Sequence, residues 1–318
     1  LKEQPLLNLL HRAPGVLRIL ALSALIVAFA RPVGEDQSTL TGEGINIVFA
    51  LDMSRSMNAV DMTPDEIDAY LERGETPPNR FEIARDVLLD FVRARKEDRI
   101  GLTIFGQEAF LKFPLTLDYP SVLASLNDLV LDDGSGDRSG RCANGCTIGG
   151  GGTAIGDALA RGYRRLRRSA GRSRVIVLIT DGKNEGGRIE PDTIANELAR
   201  LPEGEGIQVY TILVGDPTLT HLPQTSLGGR RRYVKPPNII ATDPELLERI
   251  AEITGGEFWE TPDSASFRKA FSDLEQTLFK DELPGARHKE LFHLPLLLGM
   301  LLLLMEAALN TLVLRRFP

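Results

Sequence analysis

The sequence is poor in the residues on which disulfide-built and histidine-dependent proteins rely. It holds two cysteines, four histidines and one tryptophan in 318 residues. Two cysteines cannot build a disulfide framework. His11 and His293 lie in or beside strongly apolar segments, His288 sits in a linker and His221 stands alone in an irregular stretch. No Ser-His-Asp or Cys-His set emerges from them, which argues against an enzyme of that kind. Basic residues are outnumbered, 37 against 44 acidic, for a formal charge of -7, a balance that speaks against a nucleic-acid partner. No Gly-Lys-Ser/Thr follows the run Gly149 to Gly152, so a Walker-type phosphate cradle is excluded.

The apolar residues are instead concentrated toward the two ends. Ala13 to Ala30 is 18 residues with one charge, Arg18, about 27 Å of helix at roughly 1.5 Å per residue and just long enough to span a bilayer. A buried core helix or a signal-peptide core are the competing readings; only Ala28-Phe29-Ala30 weakly fits a cleavage pattern. Leu291 to Leu314 is 24 residues with a single acid, Glu306, and is closed by Arg315 and Arg316. Arginines before the first span and after the second place both outer ends in the cytoplasm and everything from Arg31 to His288 outside it. Glu306 and Asn310, four apart, share a helix face. They suggest an intramembrane contact, or else an acid tolerated near the interface.

The resulting organisation is a cytoplasmic-side segment (1–12), a transmembrane helix (13–31), an α/β domain with its N-terminal linker (32–282), a linker (283–290), a second transmembrane helix (291–314) and a cytoplasmic tail (315–318). Within the domain, strands and amphipathic helices alternate, the pattern of a doubly wound, mostly parallel sheet. Ile45 to Leu51 and Arg174 to Thr180 are continuous apolar runs, as expected of strands buried on both faces. Ala109 to Leu115 follows its predecessor closely enough to be an antiparallel neighbour. Arg80 to Lys96 carries its apolar residues on one stripe, Pro217 to Thr242 reads as an irregular insertion, and a helix is expected over 153–169 with Thr153 as its cap. The outer face of that helix bears Arg161, Arg164, Arg165, Arg167 and Arg168, a solvated surface or a contact for a sibling subunit or anionic lipid.

The first buried strand delivers Asp52 to a turn, with Ser54 and Ser56 two and four positions on. Ligands of open α/β sheets bind at this carboxyl end. Thr153 opens a helix after four glycines, and Asp181 follows the strand Arg174 to Thr180 in the sequence TDGKNEGG. If the two strands are neighbours, Asp52, Ser54, Ser56, Thr153 and Asp181 form a hard oxygen set suited to Mg²⁺, with Mn²⁺ or Ca²⁺ as alternatives. Hydroxyl-rich coordination leaves such an ion Lewis-acidic and receptive to a carboxylate from a partner protein. Taken singly, these residues read as turn and cap residues. An aspartyl nucleophile is disfavoured because position 54 offers no second acid. Cys142 and Cys146 flank a short turn in the glycine-rich loop before Thr153, and a disulfide, free thiols or a soft-metal site are the three readings.

This set resembles the metal-ion-dependent adhesion site (MIDAS) of von Willebrand factor A domains. Asp52-Met53-Ser54-Arg55-Ser56 matches the D-x-S-x-S motif, Thr153 the separate threonine, and Asp181-Gly182 the later aspartate. The resemblance implies a doubly wound, Rossmann-like sheet with one antiparallel edge strand, and an interaction module. Over nearly the whole chain, Ala30-Arg31-Pro32, Asp61-Met62-Thr63-Pro64, Thr254-Gly255-Gly256 and the leucine-rich C-terminal span resemble the bacterial BatA/BatB aerotolerance-type group. That likeness implies sibling membrane subunits and a link to a cytoplasmic MoxR-type AAA+ ATPase. It also implies a further hydrophobic segment ahead of Leu1. Arg55, where glycine is common, the insertion at Asp65 to Asn79 and the Cys142/Cys146 loop depart from the pattern. A structural scaffold whose ion merely stabilises the domain, and a metal-assisted hydrolase, are the competing functional readings.

Overall fold

The computed structural model describes residues 5–30, 33–35, 44–132, 146–148, 151–169, 173–202, 206–225, 231–237, 242–282 and 288–313. The chain forms two units, Gly42–Glu282 and a second made of Leu1–Thr41 with Leu283–Pro318. In chain order the elements are α1 (Pro5–Phe29), β1 (Val33–Glu35), β2 (Asn46–Asp52), β3 (Val60–Asp61), α2 (Pro64–Glu72), α3 (Arg80–Ala94), β4 (Arg99–Phe105) and β5 (Ala109–Thr116). There follow α4 (Tyr119–Asn127), α5 (Ile155–Leu166), β6 (Arg174–Thr180), α6 (Pro191–Ala199), β7 (Gln208–Val214), β8 (Thr220–Thr225) and β9 (Arg231–Val234). The last are α7 (Pro244–Thr254), β10 (Phe258–Thr261), α8 (Ser264–Glu282), β11 (His288–Glu290) and α9 (His293–Ala308).

The larger unit is built on a six-stranded sheet of order β10-β7-β6-β2-β4-β5. All pairings are parallel except that of β4 with β5 at one edge. Strand β2 lies at the centre, and each of its seven residues is buried. A strand covered on both faces needs no polar alternation, which accounts for its continuous apolar run. Phe49 and Leu51 face α3, α4 and α8, and Phe49 packs edge-on against Phe91 at 5.4 Å between ring centroids. Val48 and Ala50 face α5, α6 and α7. The fold is thus a doubly wound α/β sandwich with one antiparallel edge pair. Helix starts follow from capping chemistry: Asn79 accepts from the Glu82 amide while the Glu82 carboxylate accepts from the Asn79 amide, fixing where α3 begins.

Two expectations need correction. The stretch 217–242 is not wholly irregular. Strand β8 pairs antiparallel with β9 and with β3, where Asp61 stands opposite Thr220. Pairing to the short strand β3 organises it, not apolar alternation of its own. Helix α5 begins at Ile155, and Thr153 is not its cap. The Thr153 backbone is instead bridged to Glu185 (Thr153 N–H to Glu185 O 2.8 Å, Glu185 N–H to Thr153 O 3.0 Å). The Ile155 amide donates to Asn184 Oδ1 at 3.1 Å.

In the smaller unit α1 packs against α9, and β1 pairs antiparallel with β11. Helix α1 runs from Pro5 to Phe29. The stretch His293–Thr311, 19 residues with mean hydropathy 1.8, is long and apolar enough to cross a bilayer; Ala13–Phe29 is apolar but shorter. Gly299 lets the helices approach closely, since a Cβ there would lie 3.0 Å from Leu25 Cγ and 3.3 Å from the Ala21 carbonyl oxygen. The buried carboxylate of Glu306 meets Arg18 at 2.7 Å. The contact expected of Glu306 is therefore with the other helix of its own chain. Asn310 lies in the π-helical turn Leu309–Val313 that follows α9.

Candidate metal centre

Because β2 and β6 are direct neighbours in register, Leu51 opposite Ile179, both strands end at the same level. Asp52 and Asp181 leave the sheet side by side there, each fully buried. The turn after β2 continues into a 3-10 segment, Arg55–Asn58, which brings Ser54 and Ser56 over the strand ends. Ser54 Oγ lies 2.9 Å from Ser56 Oγ, and the Ser56 hydroxyl donates to Asp181 Oδ1 at 2.7 Å. Asp52 Oδ1 accepts from the Ser54 amide at 2.7 Å, and Asp52 Oδ2 from the Thr180 hydroxyl at 2.5 Å.

Thr153 comes from the segment just before α5. Gly152, at φ +108°, turns the chain so that Thr153 lies against the Asp181-Gly182 turn. A Cβ on Gly182 would sit 3.8 Å from Thr153 Oγ1, whereas a Cβ on Gly152 would strike the Glu185 carbonyl at 2.6 Å. Positive φ and lack of room together call for glycine at that position. Asp157 secures the same loop from α5, accepting the amides of Arg188 and Ile189 at 3.1–3.2 Å. All five residues picked out from the sequence thus meet around one rim of the sheet.

Sequence reasoning missed the partner behind them. Arg80, in the first turn of α3 and 1% exposed, reaches Asp181 Oδ2 through Nη1 at 2.8 Å. Its Nε and Nη2 grip Asp61 at 2.6 and 2.7 Å, and Nη2 also donates to Thr220 Oγ1 at 2.7 Å. One signal was available: Arg80 stands four residues before Ala84 on the apolar stripe of α3, a core-facing position.

The electrostatics reflect this enclosure. Burial, and then the charge of Asp181, pushes the Asp52 carboxyl up to about 7. Burial likewise raises Asp181, although Arg80 pulls it back down. Burial lowers Arg80, but the carboxylates of Asp61 and Asp181 outweigh it and hold the guanidinium above its ordinary value. With all three ionised, the carboxylates that face one guanidinium in this cluster of described residues would leave two negative charges in excess, which the raised Asp52 resists, and the bonds to Asp52 come from neutral donors. Two close, buried carboxylates with hydroxyl oxygens between them fit a hard divalent cation, whose charge would make up that deficit. Asp52, Ser54, Ser56, Thr153 and Asp181 are the residues that would hold it. Among the described residues no group of three His, Cys, Asp or Glu side chains is placed to hold a metal ion by itself, so hydroxyl oxygens would have to complete the coordination.

Nearby, Arg55 pairs with Asp132 at 3.0 Å and Asn58 donates to the Asp132 carbonyl at 2.5 Å, which fixes the outer side of the Ser54–Ser56 turn. Cys146 is disulfide-bonded; the chain's other cysteine, Cys142, lies outside the described residues.

A doubly wound sheet with one antiparallel edge and a D-x-S-x-S turn at its carboxyl end defines a von Willebrand factor type A domain, and residues 47–184 match that family. The chain carries this domain. A UPF0353 protein of Nocardia farcinica is 26% identical over 314 residues, covering 97% of this chain and 84% of its own. BatB of Bacteroides thetaiotaomicron superposes with a TM-score of 0.53 at 28% identity, over 74% of this chain and 100% of that one. An aerotolerance-related membrane protein of Bacteroides fragilis, carrying multiple mutations to serine, gives 0.51 at 25% identity over 74% and 100%. The chain thus contains a region, residues 47–184, that matches the von Willebrand factor type A family, and it is similar to aerotolerance-related, BatB-type membrane proteins.

Proposed function

We propose that this chain is a membrane-anchored protein-interaction module whose binding depends on a divalent cation at Asp52, Ser54, Ser56, Thr153 and Asp181. The observation that carries the reading is the convergence of two buried carboxylates and hydroxyl side chains at the carboxyl end of β2 and β6. When bound, a cation there would supply a positive, Lewis-acidic centre for an Asp or Glu of a partner protein. The chain's own residues hold the ligands in place: Thr180 and the Ser54 amide fix Asp52, and Arg80 fixes Asp181. Mg²⁺ is the ion we favour, because the donors are all oxygen and include uncharged hydroxyls. The two apolar helices α1 and α9 would anchor the domain in the bacterial inner membrane, with the domain on the periplasmic side as the flanking arginines suggest. Sibling membrane subunits and a MoxR-type AAA+ ATPase are the partners proposed from the resemblance to the BatA/BatB group.

A scaffolding role for the ion is favoured by one feature, the wiring of Asp181 into the buried Arg80–Asp61 network. A pull-down from mild detergent, with and without chelator and with Asp52→Ala beside wild type, separates the two. Partners lost under both treatments while the melting curve of the variant stays near that of the chelated wild type support recognition. Partners retained under both, with only the melting temperature lowered, support scaffolding.

A further inference from the structure

We infer that Arg80 is a built-in counter-cation of this centre, set by Asp61, which holds down the site's affinity for a divalent ion; this rests on the metal reading above. Burying a guanidinium is costly unless its donors are satisfied, and here hydrogen bonds to Asp61, Asp181 and Thr220 involve all three of its nitrogens. The surroundings are shaped for it. Gly215 has φ +104°, and a Cβ there would fall 2.2 Å from Arg80 Nε and 2.6 Å from Asp61 Oδ2. Thr220 is delivered by the pairing of β8 with β3, which also carries Asp61. The guanidinium is therefore shared between a carboxylate of the candidate site and one outside it.

Sharing has an electrostatic consequence. A cation bound to Asp181 would feel Arg80 as a like charge across a single carboxylate, in a region with little water to screen it. Asp61 offsets part of that repulsion by its paired contact with Arg80. Removing Arg80 leaves Asp181 held by the Ser56 hydroxyl and makes the surroundings of the candidate ligands more negative, so a divalent ion should bind more tightly. Neutralising Asp61 leaves Arg80 less compensated, so the ion should bind more weakly. A residue that merely orients a ligand behaves in the opposite way, since loss of such support typically weakens metal binding by about 10–100-fold.

The test is calorimetric titration of Mn²⁺ into the full chain in detergent, for wild type, Arg80→Gln, Arg80→Lys and Asp61→Asn, with circular dichroism to confirm folding. The expected results are binding about tenfold tighter in Arg80→Gln, within about threefold of wild type in Arg80→Lys, and about tenfold weaker in Asp61→Asn. Equal or weaker binding in Arg80→Gln overturns the inference, as does Arg80→Lys binding as tightly as Arg80→Gln. If Arg80→Gln does not fold, Asp61→Asn decides alone, and equal or tighter binding there is fatal. Absence of Mn²⁺ binding in folded wild type overturns the metal reading and this inference with it.

Discussion

Arg80 Nη1 lies 2.8 Å from Asp181 Oδ2, and the two side chains are 1% and 0% exposed. This contact ties the first turn of α3 to the end of β6, two elements brought together only by the tertiary fold. A buried ion pair of this kind is weak evidence of net stabilisation, because desolvation offsets its attraction. Disturbing it from one side alone is another matter, since the remaining charge is then left buried without its partner.

Gly215 is the most direct place to disturb it. At φ +104°, with Arg80 Nε only 2.2 Å from where a Cβ would stand, Gly215→Ala adds backbone strain to a collision with a side chain that cannot swing away. The expected cost is about 2–4 kcal/mol. Urea denaturation should show it, and Gly215→Ala should cost less when introduced into an Arg80→Ala background than into wild type, because the obstacle is gone there. A variant as stable as wild type would show that the pocket around Arg80 is not closed.

Asp52→Asn should separate stability from ion binding. The asparagine oxygen can accept from the Ser54 amide and its NH₂ can donate to Thr180 Oγ1, so both contacts of Asp52 have replacements. The change removes a buried carboxylate whose ionised form is disfavoured. At pH 8 in chelator the variant should therefore melt above wild type, by about 2–4 °C for each kcal/mol gained in a domain of this size. Added Mg²⁺ should stabilise wild type and leave the variant unmoved. Differential scanning calorimetry with and without the ion checks both halves.

The sheet and the five oxygen-bearing residues were legible in the sequence for physical reasons. Buried parallel strands are continuous apolar runs, and Asp52 and Asp181 each end one. Thr153 lies beside the Asp181-Gly182 turn, but it does not have the expected role of helix cap. A threonine after glycines looks like a helix cap, yet its backbone is claimed by Glu185, a pairing that only tertiary structure brings about. Arg80 was passed over because an arginine in a helix's first turn usually faces water; nothing local announces that Asp61 and Asp181 will close around it. Strands β8 and β9 escaped because their order derives from pairing to β3.

The raised Asp52 carboxyl sets a pH dependence. Its pKa moves from 3.8 unfolded to about 7 folded, so the folded chain holds the proton more tightly. Between about pH 4 and 7 the folded state binds more protons than the unfolded one, and this group's contribution to stability falls as pH rises, then levels off. Other carboxylates, such as Asp216 and Asp263, are lowered by hydrogen bonds from Thr218 and Ser266 and push the opposite way at lower pH. Asp52→Asn is therefore the reference. In chelator, the stability of wild type relative to the variant should decline from pH 5 to 7, and saturating Mg²⁺ should reverse the decline because the ion binds the ionised form. Parallel melting profiles for the two proteins in chelator would contradict the raised value.

The ion pair between Arg18 and Glu306 gives the last prediction. Glu306 is 6% exposed at its side chain and Arg18 66%, so the carboxylate is the enclosed partner. Arg18→Ala leaves an acid without its cation among apolar helix side chains, whereas Glu306→Gln leaves an arginine that can reach polar surroundings along its flexible stem. The two single changes should therefore be unequal. Arg18→Ala should lower the detergent melting temperature and the yield of full-length protein more than Glu306→Gln does. Arg18→Leu combined with Glu306→Leu should recover most of the loss, since a matched apolar pair has no charge left to desolvate. Gly299→Leu offers an independent check on the same helix pair: bulk where a Cβ would already stand 3.0 Å from Leu25 Cγ should force the helices apart. Engineered cysteine cross-linking between α1 and α9 should then fall in Gly299→Leu and persist in Glu306→Gln. The reverse order would show that the charge, and not the close approach at Gly299, holds the helices together.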